Sequence, residues 1–127
     1  MKKFTAFSVA VVVAGLVMAW SSQAAEEHKH DAGAGTEVTV KGEVLDMACY
    51  LDHGAKGEKH AQCAQTCIES GLPVGIKGED GKTYLLIGEH KPLNKELAQY
   101  AGKTITVKGK LAGRDGINMI ANAEIVK

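Results

Sequence analysis

The chain is 127 residues long, its fifteen Lys and Arg balance fifteen Asp and Glu, and 5% of its residues are aromatic. That length suits one modest hydrophobic core. A neutral chain with few aromatics offers neither the basic surface nor the stacking platforms that nucleic acid needs, nor the basic run an anionic membrane would attract.

In chain order, Lys2 and Lys3 precede the apolar run FTAFSVAVVVAGLVMAW, and SSQA follows with small residues. This is the pattern of a secretory signal peptide over residues 1–24, and it predicts a periplasmic or secreted protein with no membrane segment after cleavage. Trp20, Phe4 and Phe7 leave with it, so Tyr50, Tyr84 and Tyr100 are the remaining aromatics, with thirteen basic residues against fifteen acidic ones. Residues 25–36, beginning AEEHKHDAGAG, are polar, glycine-rich and aperiodic, which predicts a flexible leader. His28 and His30 in this leader form a secondary metal candidate. Cleavage after Ala25 instead of the favoured Ala24 would place His28 third from a free amine. The amine, two amides and the imidazole then make a square-planar set that suits Cu(II) or Ni(II).

Residues 37–127 carry the pattern of a folded domain. TEVTVKGEVLDMACYL alternates, with Val38 and Val40 in one apolar set and Leu45, Met47, Cys49 and Leu51 in a second. The change of phase at Gly42 predicts a bulge or bend in one long strand, with Cys49 on its inward face. Glu58 to Ser70 is rich in helix formers and is stopped by Gly71 and Pro73, which predicts a helix of about three turns. LPVGIKGEDGKTYLLIGE reads as a hairpin turning at Glu79 to Gly81, because Asp-Gly between apolar runs favours a tight turn. NKELAQYAG predicts a second short helix ended by Gly102. KTITVKGKLAGRDGINMIANAEIVK predicts two strands turning at Arg114 to Gly116.

One long strand, a hairpin, a helix and a closing hairpin give a mainly β chain whose order is that of a small OB-like five-stranded barrel, here with a Cys/His-bearing helix inserted at 49–71. On VTVKGEVLD and KTITVKGKLAGRDGINMIANAEI, the chain resembles small exported bacterial OB-fold proteins. The resemblance implies a barrel architecture and leaves function to be read from the site.

The insert holds the chemistry. CYLDHGAKGEKHAQCAQTC contains all three cysteines of the chain and two of its five histidines. On a helix from Glu58 to Ser70, His60, Cys63 and Cys67 stand at i, i+3 and i+7 and share one stripe. Packing of that stripe against the first strand brings in Cys49, and the loop residue His53 adds a further donor. Soft thiolates favour Cu(I) and Zn(II), and imidazole suits both. Cys49, His53, His60, Cys63 and Cys67 are therefore the candidate ligands, a copper or zinc ion the candidate cofactor, and an exported protein a candidate partner in delivery. The Cys63-x-x-x-Cys67 spacing resembles the copper motif of exported Sco-type copper chaperones, in which two cysteines and a distant histidine bind the metal. Ile68 stands here where the proline of that motif usually follows.

A second reading stays open. Exported cysteines also form disulfides, and three would give one bridge and one leftover thiol. Cys49 with Cys63 or Cys67 suits a bridge better than Cys63 with Cys67, whose side chains diverge at i and i+4 of a helix. Such a bridge would close a loop of roughly fifteen to twenty residues and stabilise the domain by about 3 kcal/mol. The cysteines would then staple a binding module for a small ligand or partner protein, or serve thiol redox exchange. The sequence has no catalytic-triad or paired-carboxylate pattern, no phosphate loop and no haem-attachment motif. Met47 and Met119 read as core filler, and His90 as a loop residue.

Overall fold

A computed structural model describes residues 35–127; the segment expected to be a signal peptide, and the expected leader through residue 34 with His28 and His30, lie outside them. Five strands form the frame: β1 (Glu37–Asp46), β2 (Val74–Gly78), β3 (Thr83–Leu86), β4 (Thr104–Arg114) and β5 (Ile117–Ile125). They close into a barrel in the order β1-β2-β3-β5-β4. Every neighbouring pair is antiparallel except β3 with β5, which run parallel from Leu85↔Met119 to Leu86↔Ile120. This is the mainly β, OB-like barrel that the strand order predicts, and closure leaves its strands fully paired around the ring.

Closure depends on β1 pairing on both sides. Its first part, Glu37 to Glu43, lies against β4, and its last part, Gly42 to Asp46, lies against β2. The register runs through Gly42 without a shift, so of the bulge or bend expected there the bulge is absent. Gly42 is in phase with Val38, Val40 and Val44. A Cβ on it would stand 2.1 Å from the Lys77 carbonyl oxygen, so glycine is required by the close approach of β2. The register shift falls in β4 instead, between Lys108 and Lys110.

A larger correction concerns the end of β1. Alternation predicts a strand through Leu51, but the strand stops at Asp46 and a helix follows, α1 (Met47–His53). Leu51, expected to point inward, is 74% exposed. The physical reason is the Asp46 side chain, which accepts hydrogen bonds from the first free amides of α1 and so ends the strand by starting a helix. The apolar residues at 45, 47, 49 and 51 mimic strand period over a segment that changes element midway.

The barrel interior is filled by Val40, Val44, Ile76, Tyr84, Leu86, Val107 and Ile120, all buried. Helix α2 (Ala61–Glu69), entered through a 3-10 turn at Glu58–His60, contributes Ile68 to the same core. Helix α3 (Asn94–Leu97), with its continuation Ala98–Tyr100, contributes Leu97 and Ala98, and Ala101 just beyond it is buried in the same core. Burying an Ile or Leu side chain stabilises by about 1.5–3 kcal/mol, so Ile68 and Leu97 anchor the helices to the barrel. The β2–β3 turn at Glu79–Lys82 and the β4–β5 turn at Asp115–Gly116 lie where the sequence places them. Both residues of the latter have positive φ, 52° and 84°, as a two-residue hairpin loop demands. Among the described residues no helix is long and apolar enough to cross a membrane.

Candidate metal centre

Two helical segments between β1 and β2 carry the three cysteines, the first held at both ends and the second by packing and at its C-terminal end. Helix α1 has only seven residues, too few to persist unaided. At its start, Asp46 accepts from the amides of Ala48 (3.2 Å, at Oδ1) and Cys49 (3.0 Å, at Oδ2). At its end, Gly54 takes φ 72°, and its amide donates to the Tyr50 carbonyl at 2.9 Å, while the Ala55 amide donates to the Cys49 carbonyl at 3.3 Å. The loop beyond is tied back to β1 by the Gly57 amide, which donates to the Glu43 carboxylate. Cys49 is thus fixed through its own amide and its own carbonyl.

Helix α2 is fixed by packing and by a cap supplied from elsewhere in the chain. Ile68 is fully buried and Ala64 packs against the same core, which sets the rotation of the helix and turns the Cys63/Cys67 side toward α1. Asn94 at the start of α3 donates from Nδ2 to the carbonyls of Ile68 (2.8 Å) and Leu72 (2.7 Å). The Cys67 carbonyl accepts from Ser70 Oγ at 2.7 Å and from the Leu72 amide at 3.1 Å. The carbonyls that a helix end leaves unsatisfied therefore have partners here.

As a result Cys49, Cys63 and Cys67 converge, with their sulfur atoms all within 4.8 Å of one another. A metal–sulfur bond of about 2.3 Å requires sulfurs about 3.8–4.0 Å apart around one ion, so small rotamer adjustments suffice to hold one. All three are free thiols; Cys49 and Cys67 are half-buried and Cys63 is exposed. The site thus has a fixed inner pair and an outer thiol open to solvent.

Asp46 sets the electrostatics. It is a buried charged residue, 2% exposed, and it lies beside Cys49. The hydrogen bond between the Cys49 thiol and the Asp46 carboxylate, then burial, then the carboxylate's charge push the Cys49 thiol up to about 12. Burial likewise raises Cys67, partly offset by its hydrogen bond with Cys49. Both groups are neutral thiols at pH 7, so an ion that binds as a thiolate complex must displace their protons.

The sequence-derived ligands divide accordingly. The three cysteines meet, while His53 and His60 stand outside the 4.8 Å group. His53, the last residue of α1, has Nδ1 3.1 Å from Asp52 Oδ2. His60 is exposed at the entrance to α2. Cys49 arrives from a helix and not from the strand face expected for it. Met47 is buried as core filler, and its sulfur lies close to Gly75. Sequence reading missed Asp46, although an Asp that precedes seven residues and a Gly is a recognisable pair of helix caps. Comparison with protein-family models, with curated proteins and with solved structures finds no match, so the chemistry of the site stands on its own residues.

Proposed function

We propose that this is an exported, periplasmic protein that binds Cu(I) or Zn(II) through Cys49, Cys63 and Cys67 and serves to sequester the ion or deliver it to an exported partner. The observation that carries the reading is the convergence of three free thiols from two separately anchored helices. Thiolate donors select soft ions, and three of them suit three-coordinate Cu(I) most directly. Zn(II) takes four donors, so water or a re-oriented His60 completes its shell. The exposed Cys63 would be the donor replaced first, as an acceptor's ligand bonds to the ion and the Cys63–metal bond breaks, which is what transfer by ligand exchange requires. The N-terminal signal pattern supports export. The spacing shared by Cys63 and Cys67 with Sco-type chaperones supports copper in particular.

The test is a competition titration of the reduced protein against chromogenic Cu(I) and Zn(II) chelators, with elemental analysis of protein recovered from its own compartment. One tightly held ion per chain is expected, lost in Cys49→Ser, Cys63→Ser and Cys67→Ser. Unchanged affinity in the three variants would sink the site.

A further inference from the structure

The same three thiols carry a ligand class that the Cu(I) and Zn(II) reading does not contain. We propose that the cluster also captures trivalent arsenic or antimony, as the neutral trihydroxide, in a three-sulfur complex. The inference rests on the three-thiol site of the preceding reading and on nothing else in it.

Three observations lead there. The first is donor number. Among the described residues, the group of ligating atoms within 4.8 Å consists of three sulfurs and no histidine or carboxylate. A trivalent pnictogen forms three bonds to sulfur and keeps a lone pair, so it requires three thiols and an open side. Exposed Cys63 places one thiol at solvent while Cys49 and Cys67 lie deeper.

The second is charge. Asp46, 2% exposed, lies against Cys49 and accepts from two amides of α1. Three thiolates around a monovalent ion make a doubly negative cluster, around a divalent ion a singly negative one, and around a trivalent centre a neutral one. Beside a buried carboxylate, each added negative charge is disfavoured by Coulomb repulsion in a low-dielectric setting. The neutral complex avoids that repulsion.

The third is proton balance. One trihydroxide and three thiols give one tris-thiolate and three waters. Three bonds from the central atom to oxygen break and three to sulfur form, and each departing hydroxide leaves with the proton of the thiol that replaces it. No electron changes hands. Copper or zinc brings no hydroxide to take up the thiol protons and must instead release them to solvent.

The experiment is a titration of the purified, reduced, metal-free protein with sodium arsenite, read by native mass spectrometry and by alkylation of the remaining thiols. The expected result is one arsenic per chain with three protons lost, no hydroxide retained, and no thiol open to alkylation at one equivalent. Each single Cys→Ser variant should retain a hydroxide on arsenic and bind at least about a hundredfold more weakly, because one arm of the chelate is gone. His53→Ala should bind as the parent does. A parent adduct that keeps a hydroxide, leaves a thiol reactive, or fails to form overturns the inference. A parallel Cu(I) and Zn(II) titration separates the two readings. Binding of either metal without arsenite overturns this inference alone. Arsenite without either metal overturns the Cu(I) and Zn(II) assignment alone, and binding of none of them overturns both.

Discussion

Asp46 performs two tasks that two substitutions separate. Asparagine keeps a side-chain carbonyl that can accept the capping hydrogen bond and ranks with aspartate as a helix N-cap, whereas alanine keeps nothing. In Asp46→Ala, the amides of Ala48 and Cys49, whose bonds to Asp46 are both part-buried, lose their partner. The expected destabilisation is about 1–2 kcal/mol, the upper half of the range for lost caps. In a domain of this size that lowers the melting temperature by about 5–10 °C, while Asp46→Asn should stay within about 2 °C of the parent. The two variants should agree on the thiol. Both remove the largest influence on Cys49, the hydrogen bond to the carboxylate, together with its charge, so the thiol falls from about 12 toward its ordinary 9.0 and stops short because burial persists. Each tenfold gain in thiolate population is a tenfold gain in affinity for an ion that must displace that proton, so Cu(I) binding to Asp46→Asn should tighten by at least about tenfold at neutral pH. Thermal melts, the pH dependence of alkylation at Cys49 resolved by peptide mass spectrometry, and chelator competition measure the three quantities. An Asp46→Asn protein that melts as low as Asp46→Ala, or whose Cys49 titrates as in the parent, refutes the division of roles.

The remaining predictions concern the frame. Asn94→Ala removes two hydrogen bonds to the end of α2 and should cost about 1–2 kcal/mol in denaturant titration. It should also weaken ion binding, since Cys67 sits on that last turn; unchanged binding would show that the cap does not position the site. Gly42→Ala places a Cβ 2.1 Å from a backbone oxygen of β2, so β1 and β2 must separate, at about 3 kcal/mol or more; a melt like the parent's would contradict the close approach. Tyr84 donates to Asp80 at 2.6 Å, a bond that pushes the Tyr84 hydroxyl up to about 12 and holds the Asp80 carboxyl low. Because the folded state binds the Tyr84 proton more tightly, that contribution is whole below pH 10.0 and is lost as pH rises through about 12. The Asp80 contribution is present above pH 3.8 and is lost as pH falls through its lowered value. Tyr84→Phe should lower stability by about 1 kcal/mol near neutrality and flatten both limbs of the stability profile. A variant that keeps both limbs would rule out this pair as their source.

The barrel and its turns were legible in the sequence because they rest on local signals that tertiary contacts reinforce. Asp-Gly turns at 80–81 and 115–116, the helix stop at Gly71, and period-two runs over β1, β4 and β5 each prescribe one conformation. The stripe of Cys63 and Cys67 on one helix face likewise follows from helical period alone. Two things did not follow. Gly42 reads as a bulge or bend from its change of phase, whereas what requires a glycine there is the backbone of β2 lying 35 or so residues later in the chain, which periodicity does not see. Cys49 reads as a strand residue because apolar residues at 45, 47, 49 and 51 keep strand period past the point where Asp46 caps a helix. Alternation records which residues are apolar and not which backbone group Asp46 satisfies. Three cysteines close in sequence became three sulfurs close in space only through the burial of Ile68, the reach of Asn94 and the cap at Asp46. The residue types determined which ions could bind, and tertiary packing decided that three sulfurs, and neither His53 nor His60, make up the group that meets.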